Sequence, residues 1–399
     1  MRKKWIMSSI LVLLFTLVAA LPAVGAESSA LISAEELNDI LNGDNVVIID
    51  IRDAEAYKAG HIPGAISVQA SEFYEDRDGV QKLAAGPEKF SALLSSNGID
   101  EDSQVIIYTA GKDLKYATRA WWVFHMYGLQ NAQVLDGGID AWKALGYELS
   151  DLAVTPSTTK HTVTEANIQQ NTVATTEEVK DALDSNAVIV DCRNTDYFQG
   201  KIATGRHGHI TGAILITAGE NLNDDMTYKN VSTLAELYSN YGITAETPVI
   251  TYCNTGTTAT VHYFALTQIL GYQDVQLYDA SMKGWANDSS LPMESNYDFF
   301  VIGSPVAKVN STQINLSAEP FVENGRSFVD ANVLAESLEL NVTVTDDNVI
   351  LESDEKTFEV ANPIVKDDIT FLPVRQVAEA FGGTISWDGE NKGISIFMP

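Results

Sequence analysis

The feature that most constrains the fold is that the chain repeats itself. Val46-Val47-Ile48-Ile49-Asp50-Ile51-Arg52 returns as Ala187-Val188-Ile189-Val190-Asp191-Cys192-Arg193. Gly60-His61-Ile62-Pro63-Gly64-Ala65 returns as Gly208-His209-Ile210-Thr211-Gly212-Ala213, and Gln104-Val105-Ile106-Ile107-Tyr108 as Pro248-Val249-Ile250-Thr251-Tyr252. Asp136 and Trp142 match Asp279 and Trp285 at equal spacing. The order is the same in both copies, so two copies of one domain are expected, and each must adopt the same architecture.

Each copy reads as α/β. The runs at 46–50, 105–108 and 134–135 are short and continuously apolar, as the buried strands of a parallel sheet are. Between them lie helical patterns, such as 117–127 with Ala120, Val123, Phe124 and Tyr127 on one side. Ser33-Ala34-Glu35-Glu36 and Thr175-Thr176-Glu177-Glu178 predict capping boxes that open helices. Strands alternating with helices imply parallel sheets covered on both faces. The 399 residues leave room for more than two such copies. The expected division is a first copy at 27–150, a linker at 151–164, a second copy at 165–296, a linker at 297–312 and a small α+β unit at 313–399. That last unit has its own internal repeat: Ser327-Phe328-Val329-Asp330 parallels Thr370-Phe371-Leu372-Pro373, each running into a short amphipathic helix. It contains neither Cys nor His.

Residues 1–26 are of another kind. Arg2, Lys3 and Lys4 precede an apolar run from Ile10, and Val24, Gly25 and Ala26 close it. This order predicts a secretory signal peptide cut after Ala26, and a secreted or cell-surface location. The run is short for a membrane anchor, which needs about 20 apolar residues, so no span is expected once the signal is removed. The net charge is −29, and loss of the three N-terminal cations makes it more negative still. Such a surface repels phosphate backbones and excludes nucleic acid as a natural partner.

The chain has two cysteines, Cys192 and Cys253. Cys253 stands in Tyr252-Cys253-Asn254-Thr255-Gly256-Thr257-Thr258-Ala259, after an apolar strand and before a helical pattern with Val261, Phe264, Ala265 and Ile269. Ligand sites of open α/β sheets gather at the carboxyl ends of strands. Amides of the loop and the start of a helix there favour an anion and lower a thiol's pKa. Gly256 permits a tight curl; Asn254, Thr255, Thr257 and Thr258 add polar groups. The alternative is a small inert core residue, against which the polar loop argues. Cys192 lies inside a strand. If Arg193 faces the pocket edge, alternation turns Cys192 to the opposite face, away from Cys253 and into inert packing.

Together the Asp-x-Arg, Gly-His-Ile-x-Gly-Ala and Asp…Trp marks, with Leu135-Asp136-Gly137-Gly138-Ile139-Asp140-Ala141-Trp142, resemble the tandem-domain rhodanese family of thiosulfate and 3-mercaptopyruvate sulfurtransferases across about residues 31–296. The resemblance implies that Cys253 opens a six-residue active loop in the second copy and that the first copy, whose matching segment Tyr108-Thr109-Ala110-Gly111-Lys112-Asp113 has no Cys, is inactive. It implies a sulfur atom carried as a persulfide on Cys253, from a small anionic donor to cyanide or a thiol, without metal or organic cofactor. Arg193, at the family's Asp-x-Arg position, either binds the donor or pairs with Asp191. Extra residues before Gly208 bring Lys201, Arg206 and His207, either anion contacts at the rim or a solvated loop. Rhodanese-like phosphatases carry an Arg six residues after the Cys; Ala259 holds that place here. The tail, through Gly325-Arg326-Ser327-Phe328-Val329 and Phe371-Leu372-Pro373-Val374-Arg375, resembles the domain named after the N-terminal region of copper amine oxidases, which implies an accessory cell-wall or protein contact rather than copper chemistry. The competing reading is a non-catalytic secreted binding module on a rhodanese scaffold.

Intact-mass measurement of protein recovered from the culture medium and cell wall is expected to place the mature N-terminus at Glu27. A retained 1–26 segment would refute export by cleavage.

Overall fold

The computed structural model describes residues 30–203, 205–309, 312–345, 347–389 and 392–398. The signal-like segment lies outside them.

Both copies form the parallel sheets that the duplication predicts, each of five strands. In the first, the spatial order is Leu31–Ile32, Ala132–Leu135, Gln104–Tyr108, Val46–Asp50, Ile66–Ser67. In the second, it is Val173–Ala174, Val275–Tyr278, Val249–Tyr252, Val188–Asp191, Ile214–Leu215. The capping boxes at Ser33 and Thr175 are both formed. Side chains alternate strictly across each sheet, as a strand's period of two requires. Ile49, Ile107 and Val134 enter one core while Ile48, Ile106 and Leu135 enter another. In the second copy, Val190, Val249 and Leu277 separate in the same way from Ile189, Ile250 and Tyr252.

One of these cores belongs to both copies. It runs continuously from Ile49 to Leu277. At its centre the helix Leu114–Met126 lies against the helix Ala259–Phe264. Trp121 meets Phe264 edge-on with ring centroids 4.7 Å apart, and the Thr118 and Thr260 hydroxyls share a hydrogen bond of 2.8 Å. Arg119, wholly buried on the same helix, reaches across to Asp279 of the second copy at 2.5 Å. The other oxygen of Asp279 accepts from the amide of Ala84 at 2.7 Å. The linker at 151–164 has no regular structure, yet it is strapped to the first copy. Thr159 and His161 donate backbone N–H groups to Ser95, and Val163 donates to the hydroxyl of Ser91.

The second expected linker, 297–312, is not a linker. Tyr297–Val301 and Val306–Val309 are strands of the tail's sheet, in the order Thr312–Asn315, Val306–Val309, Tyr297–Val301, Gly393–Phe397, Thr384–Asp388. Gly303, Ser304 and Pro305, which suggest a boundary in the sequence, make the turn between two strands, and Phe300, Ala307 and Val309 join the tail's own core. The repeated strand–helix units lie side by side: Arg326–Asp330 pairs antiparallel with Ile369–Pro373, and each leads into a seven-residue helix. The tail is α+β, as expected.

Replacing Arg119 by Ala strands Asp279 without its cation. Removing one partner of a buried ion pair costs about 3–5 kcal/mol. Urea unfolding of Arg119→Ala is expected to show a loss of that order; a loss under about 1 kcal/mol would place the pair among exposed ones.

Candidate active site

The loop 253–258 follows the strand Val249–Tyr252 at the carboxyl edge of the second sheet. Its anchor is Ser281. The Ser281 hydroxyl accepts the N–H of Cys253 at 3.1 Å and that of Gly256 at 2.9 Å, and donates to the carbonyl of Tyr278 at 2.9 Å. Two further bonds close the ring: Met282 N–H to the Cys253 carbonyl at 3.0 Å, and Lys283 N–H to that of Asn254 at 3.1 Å. Ser281 holds a left-handed φ of 50°, a sparsely populated conformation for a residue with a side chain. The matching residue of the first copy is Gly138, also left-handed at 59°.

Gly256 has φ 71°, and a Cβ on it would lie 2.7 Å from Asp279 Oδ1 and 2.8 Å from the Asp279 carbonyl. The loop therefore presses directly on the ion pair that joins the copies. With Cys253 and Gly256 tied to Ser281, the N–H groups of Asn254, Thr255, Thr257 and Thr258 meet no protein acceptor among the described residues. They are a run of unsatisfied donors in the loop that Cys253, only 2% exposed, opens. Amides left free in this way are preorganised for a negative charge.

The first copy covers the loop. Tyr74 shares a hydrogen bond of 2.9 Å with the Thr257 hydroxyl, which in turn lies 3.4 Å from that of Thr255. Burial pushes the Tyr74 phenol up to about 12, so it stays protonated. The hairpin of Tyr74–Arg77 and Val80–Ala84 reaches further over the second copy, with Gln81 bonded to Lys283, while its Lys82 carbonyl accepts from Arg119 of its own copy.

Arg193 is the one predicted cation that the structure brings to the loop. Its guanidinium binds both oxygens of Asp191, at 2.7–3.0 Å, and the Gly208 carbonyl at 2.7 Å. Nη1 points to Asn254 Oδ1 at 3.4 Å. Arg52 makes the same bonds to Asp50 and Gly60 in the first copy, so the salt bridge is common architecture; the contact with the loop residue is what the second copy adds. Arg206 is not brought to the loop. Four backbone carbonyls, of Trp285, Ala286, Asp288 and Leu291, take up its guanidinium at 2.7–3.4 Å, because the inserted segment folds down onto the chain that leads to the tail. Lys201 pairs with Asp196, and His207 stacks on Phe299 of the tail. His262 is fully buried, hydrogen-bonded to Tyr238, and burial lowers it to about 4, so it is a neutral packed residue.

Cys192 needs a correction. It does not turn away from Cys253. Asp191 pairs with Tyr252 in the parallel ladder, and the Cys192 N–H donates to the Tyr252 carbonyl at 2.9 Å, so Cys192 and Cys253 come next, side by side. Both enter the shared core, whereas Tyr252 enters the opposite one and donates its hydroxyl to Asp191. Arg193 follows Asp191 and Tyr252 to one face, and Cys253 lies with Cys192 on the other.

Sequence reasoning missed Ser281, Asp279, Arg119 and Tyr74 as site residues. Ser281 had a visible signal: it replaces Gly138 of the repeat in the copy that carries the Cys. Tyr74 and Arg119 had none, since they belong to the other copy.

The family described as the rhodanese-like domain matches residues 33–145 and 175–288. The copper amine oxidase N-terminal domain matches 293–353 and 350–398. A Haloferax volcanii protein named "Putative thiosulfate sulfurtransferase" is 33% identical over 257 residues, 62% of this chain and 88% of that one. Proteins of the same name from Saccharopolyspora erythraea and Mycolicibacterium smegmatis are each 31% identical, over 68% and 67% of this chain and 98% and 99% of theirs. Among solved structures, the anaerobic ergothioneine biosynthesis enzyme of Chlorobium limicola, in complex with trimethyl histidine, is similar in fold. Its TM-score is 0.59 at 22% identity, over 67% of this chain and 70% of that one.

Gly256→Ala forces a Cβ into Asp279 and keeps a left-handed φ, which costs about 1–3 kcal/mol. We expect that loss in urea unfolding, together with faster alkylation of Cys253 by iodoacetamide as the loop opens. Unchanged stability and labelling would show that the loop tolerates the added carbon.

Proposed function

The chain belongs to the rhodanese family, and from that membership we propose that it is an exported sulfurtransferase that carries a sulfane sulfur on Cys253. The thiolate attacks the outer sulfur of a donor. With thiosulfate the leaving group is sulfite; with 3-mercaptopyruvate it is pyruvate. The persulfide then yields its outer sulfur to cyanide or to a thiol, and the thiolate returns. The observation that carries this reading is the run of free amides in the loop that Cys253 opens, in the one copy that has a cysteine there. Those donors suit an anionic persulfide, and they are worth most in a water-poor site.

The first copy has Thr109 where the second has Cys253, so it holds no nucleophile there. Its contribution is Tyr74 against the loop hydroxyls and Arg119 beneath Gly256. Arg193 is held rigidly by Asp191 and directs one N–H to Asn254, at the mouth of the loop. Export rests on the composition of residues 1–26. Among the described residues no helix is long and apolar enough to cross a membrane. The tail packs on the second copy through Phe299 and Lys308, and we assign it an accessory contact role outside the chemistry.

Donor preference follows from Asn254. A compact dianion such as thiosulfate is best held by a cation at this second loop position, and Asn254 carries no charge. The basic residues of the insertion do not compensate, because Arg206 is spent on carbonyls and Lys201 on Asp196. A missing charge-assisted hydrogen bond costs about 1.5–3 kcal/mol, roughly ten- to hundredfold in affinity.

Steady-state formation of thiocyanate from cyanide tests the reading. Cys253→Ser is expected to lose all activity with both donors, and wild-type protein to favour 3-mercaptopyruvate. Asn254→Arg should raise kcat/KM for thiosulfate roughly tenfold or more. Activity surviving in Cys253→Ser would overturn the persulfide assignment. Efficient thiosulfate turnover by the wild type, unimproved by Asn254→Arg, would overturn the donor argument.

A further inference from the structure

The mechanism above leaves one buried nucleophile unused. Cys192 is the only other cysteine of the chain, and it stands just past the end of the neighbouring strand, as Cys253 stands just past the end of its own. Three observations place the two thiols together. The parallel register runs Val190 to Thr251 and Asp191 to Tyr252, which makes Cys192 and Cys253 the next pair. The hydrogen bond from Cys192 N–H to the Tyr252 carbonyl, 2.9 Å, continues the ladder up to that pair. Both side chains lie in the shared core with Val190 and Val249, at 1% and 2% exposure. Adjacent strands run about 4.8 Å apart, and disulfides bridge Cα atoms about 4.4–6.8 Å apart. Both thiols are free in this state.

We propose that Cys192 is a resolving thiol. When no acceptor reaches the site, it displaces the outer sulfur of the Cys253 persulfide as hydrosulfide and closes a Cys192–Cys253 disulfide. This rests on the sulfurtransferase reading. The Cys192 sulfur attacks Sγ of Cys253. The bond from Sγ to the outer sulfur breaks, and its electron pair leaves with that sulfur. The thiol proton of Cys192 goes with it, so thiol plus persulfide anion gives disulfide plus HS⁻. One S–S bond forms and one breaks. No oxidant enters, since the outer sulfur is reduced as the two cysteines are oxidised. An external dithiol restores the resting enzyme.

The surroundings make this a slow fallback rather than a competitor of transfer. Burial holds the Cys192 thiol well above its ordinary pKa, and the nearby Cys253 and Asp191 act in the same direction. Arg193 opposes them, and Tyr238, also near Cys192, is kept protonated by burial. An acceptor already at the loop mouth therefore reacts first. The step removes a stored sulfane sulfur that has no destination and masks the nucleophile until reductant is present.

The test is a single loading of the reduced full-length protein with 3-mercaptopyruvate, without acceptor, for wild type, Cys192→Ser and Cys192→Ala. Intact mass and peptide mapping follow Cys253, which gains about 32 Da as the persulfide; a sulfide electrode follows release. Wild type is expected to release about one equivalent of sulfide per chain, then to yield a peptide linking Cys192 to Cys253 and to refuse further donor until dithiothreitol is added. Both variants should hold the persulfide and release little sulfide. The linked peptide in wild type is decisive even if a variant folds poorly. Its absence, with a persulfide as long-lived in wild type as in the variants, overturns the proposal while leaving the sulfurtransferase reading intact. Failure to load Cys253 in any of the proteins overturns both.

Discussion

Everything around the loop depends on one buried ion pair. Arg119 comes from the first copy and Asp279 from the second, and each sits where water cannot screen it. The pair is confined to one geometry, since Asp279 also holds the Ala84 amide and Arg119 lies over the rings of Tyr74 and Trp122. Gly256 rests on its oxygen atoms with no room for a side chain. The position of Cys253 is thus fixed by a contact between copies as much as by the sheet that carries it. Buried ion pairs are weak contributors to stability compared with apolar packing. Here the pair supplies registry, setting one copy against the other at the place where an error would displace Cys253.

The two copies show what separates a scaffold from a site. They share a Tyr–Asp–Arg arrangement in full: Tyr108 with Asp50 and Arg52, Tyr252 with Asp191 and Arg193. They share the left-handed residue after the last strand. They differ at Thr109 against Cys253 and at Gly138 against Ser281. In the first copy the loop is drawn in by the Gly111 N–H bonded to Asp140, at 2.9 Å. In the second, a hydroxyl gathers two amides and leaves the others free. Two replacements thus accompany the change: Asp140, which draws in the Gly111 amide, is Lys283 in the second copy, and Gly138 is Ser281, whose hydroxyl gathers the amides of Cys253 and Gly256.

The duplication made the fold class legible, because a short apolar pattern alternating with helices and stated twice announces two parallel sheets of one kind. Capping boxes and the strand–loop–helix setting of Cys253 were equally plain, since they depend on neighbours in sequence. What escaped depends on distance. Tyr74 and Arg119 lie far in sequence from Cys253, and no local pattern announces that helix 114–126 packs on helix 259–264. The 297–312 segment misled for the opposite reason. Its turn residues were conspicuous, while its pairing partner at 393–397 stood almost a hundred residues away. The face of Cys192 is hidden because alternation gives a face only relative to a reference, and Arg193 shares its face with Tyr252 rather than with Cys253.

The shared core also sets an order of events at the ribosome. Trp121 and the buried face of its helix find their cover in Tyr263, Phe264 and Leu266 of the second copy. Until those residues emerge, the first copy presents an uncovered aromatic surface, and transiently exposed apolar surface invites aggregation. The first copy is therefore not a finished unit waiting for its partner. Whatever carries the nascent chain has to shield that helix through most of the second copy's synthesis. A translational pause in the segment 150–250 would lengthen the interval in which the chain most needs a chaperone.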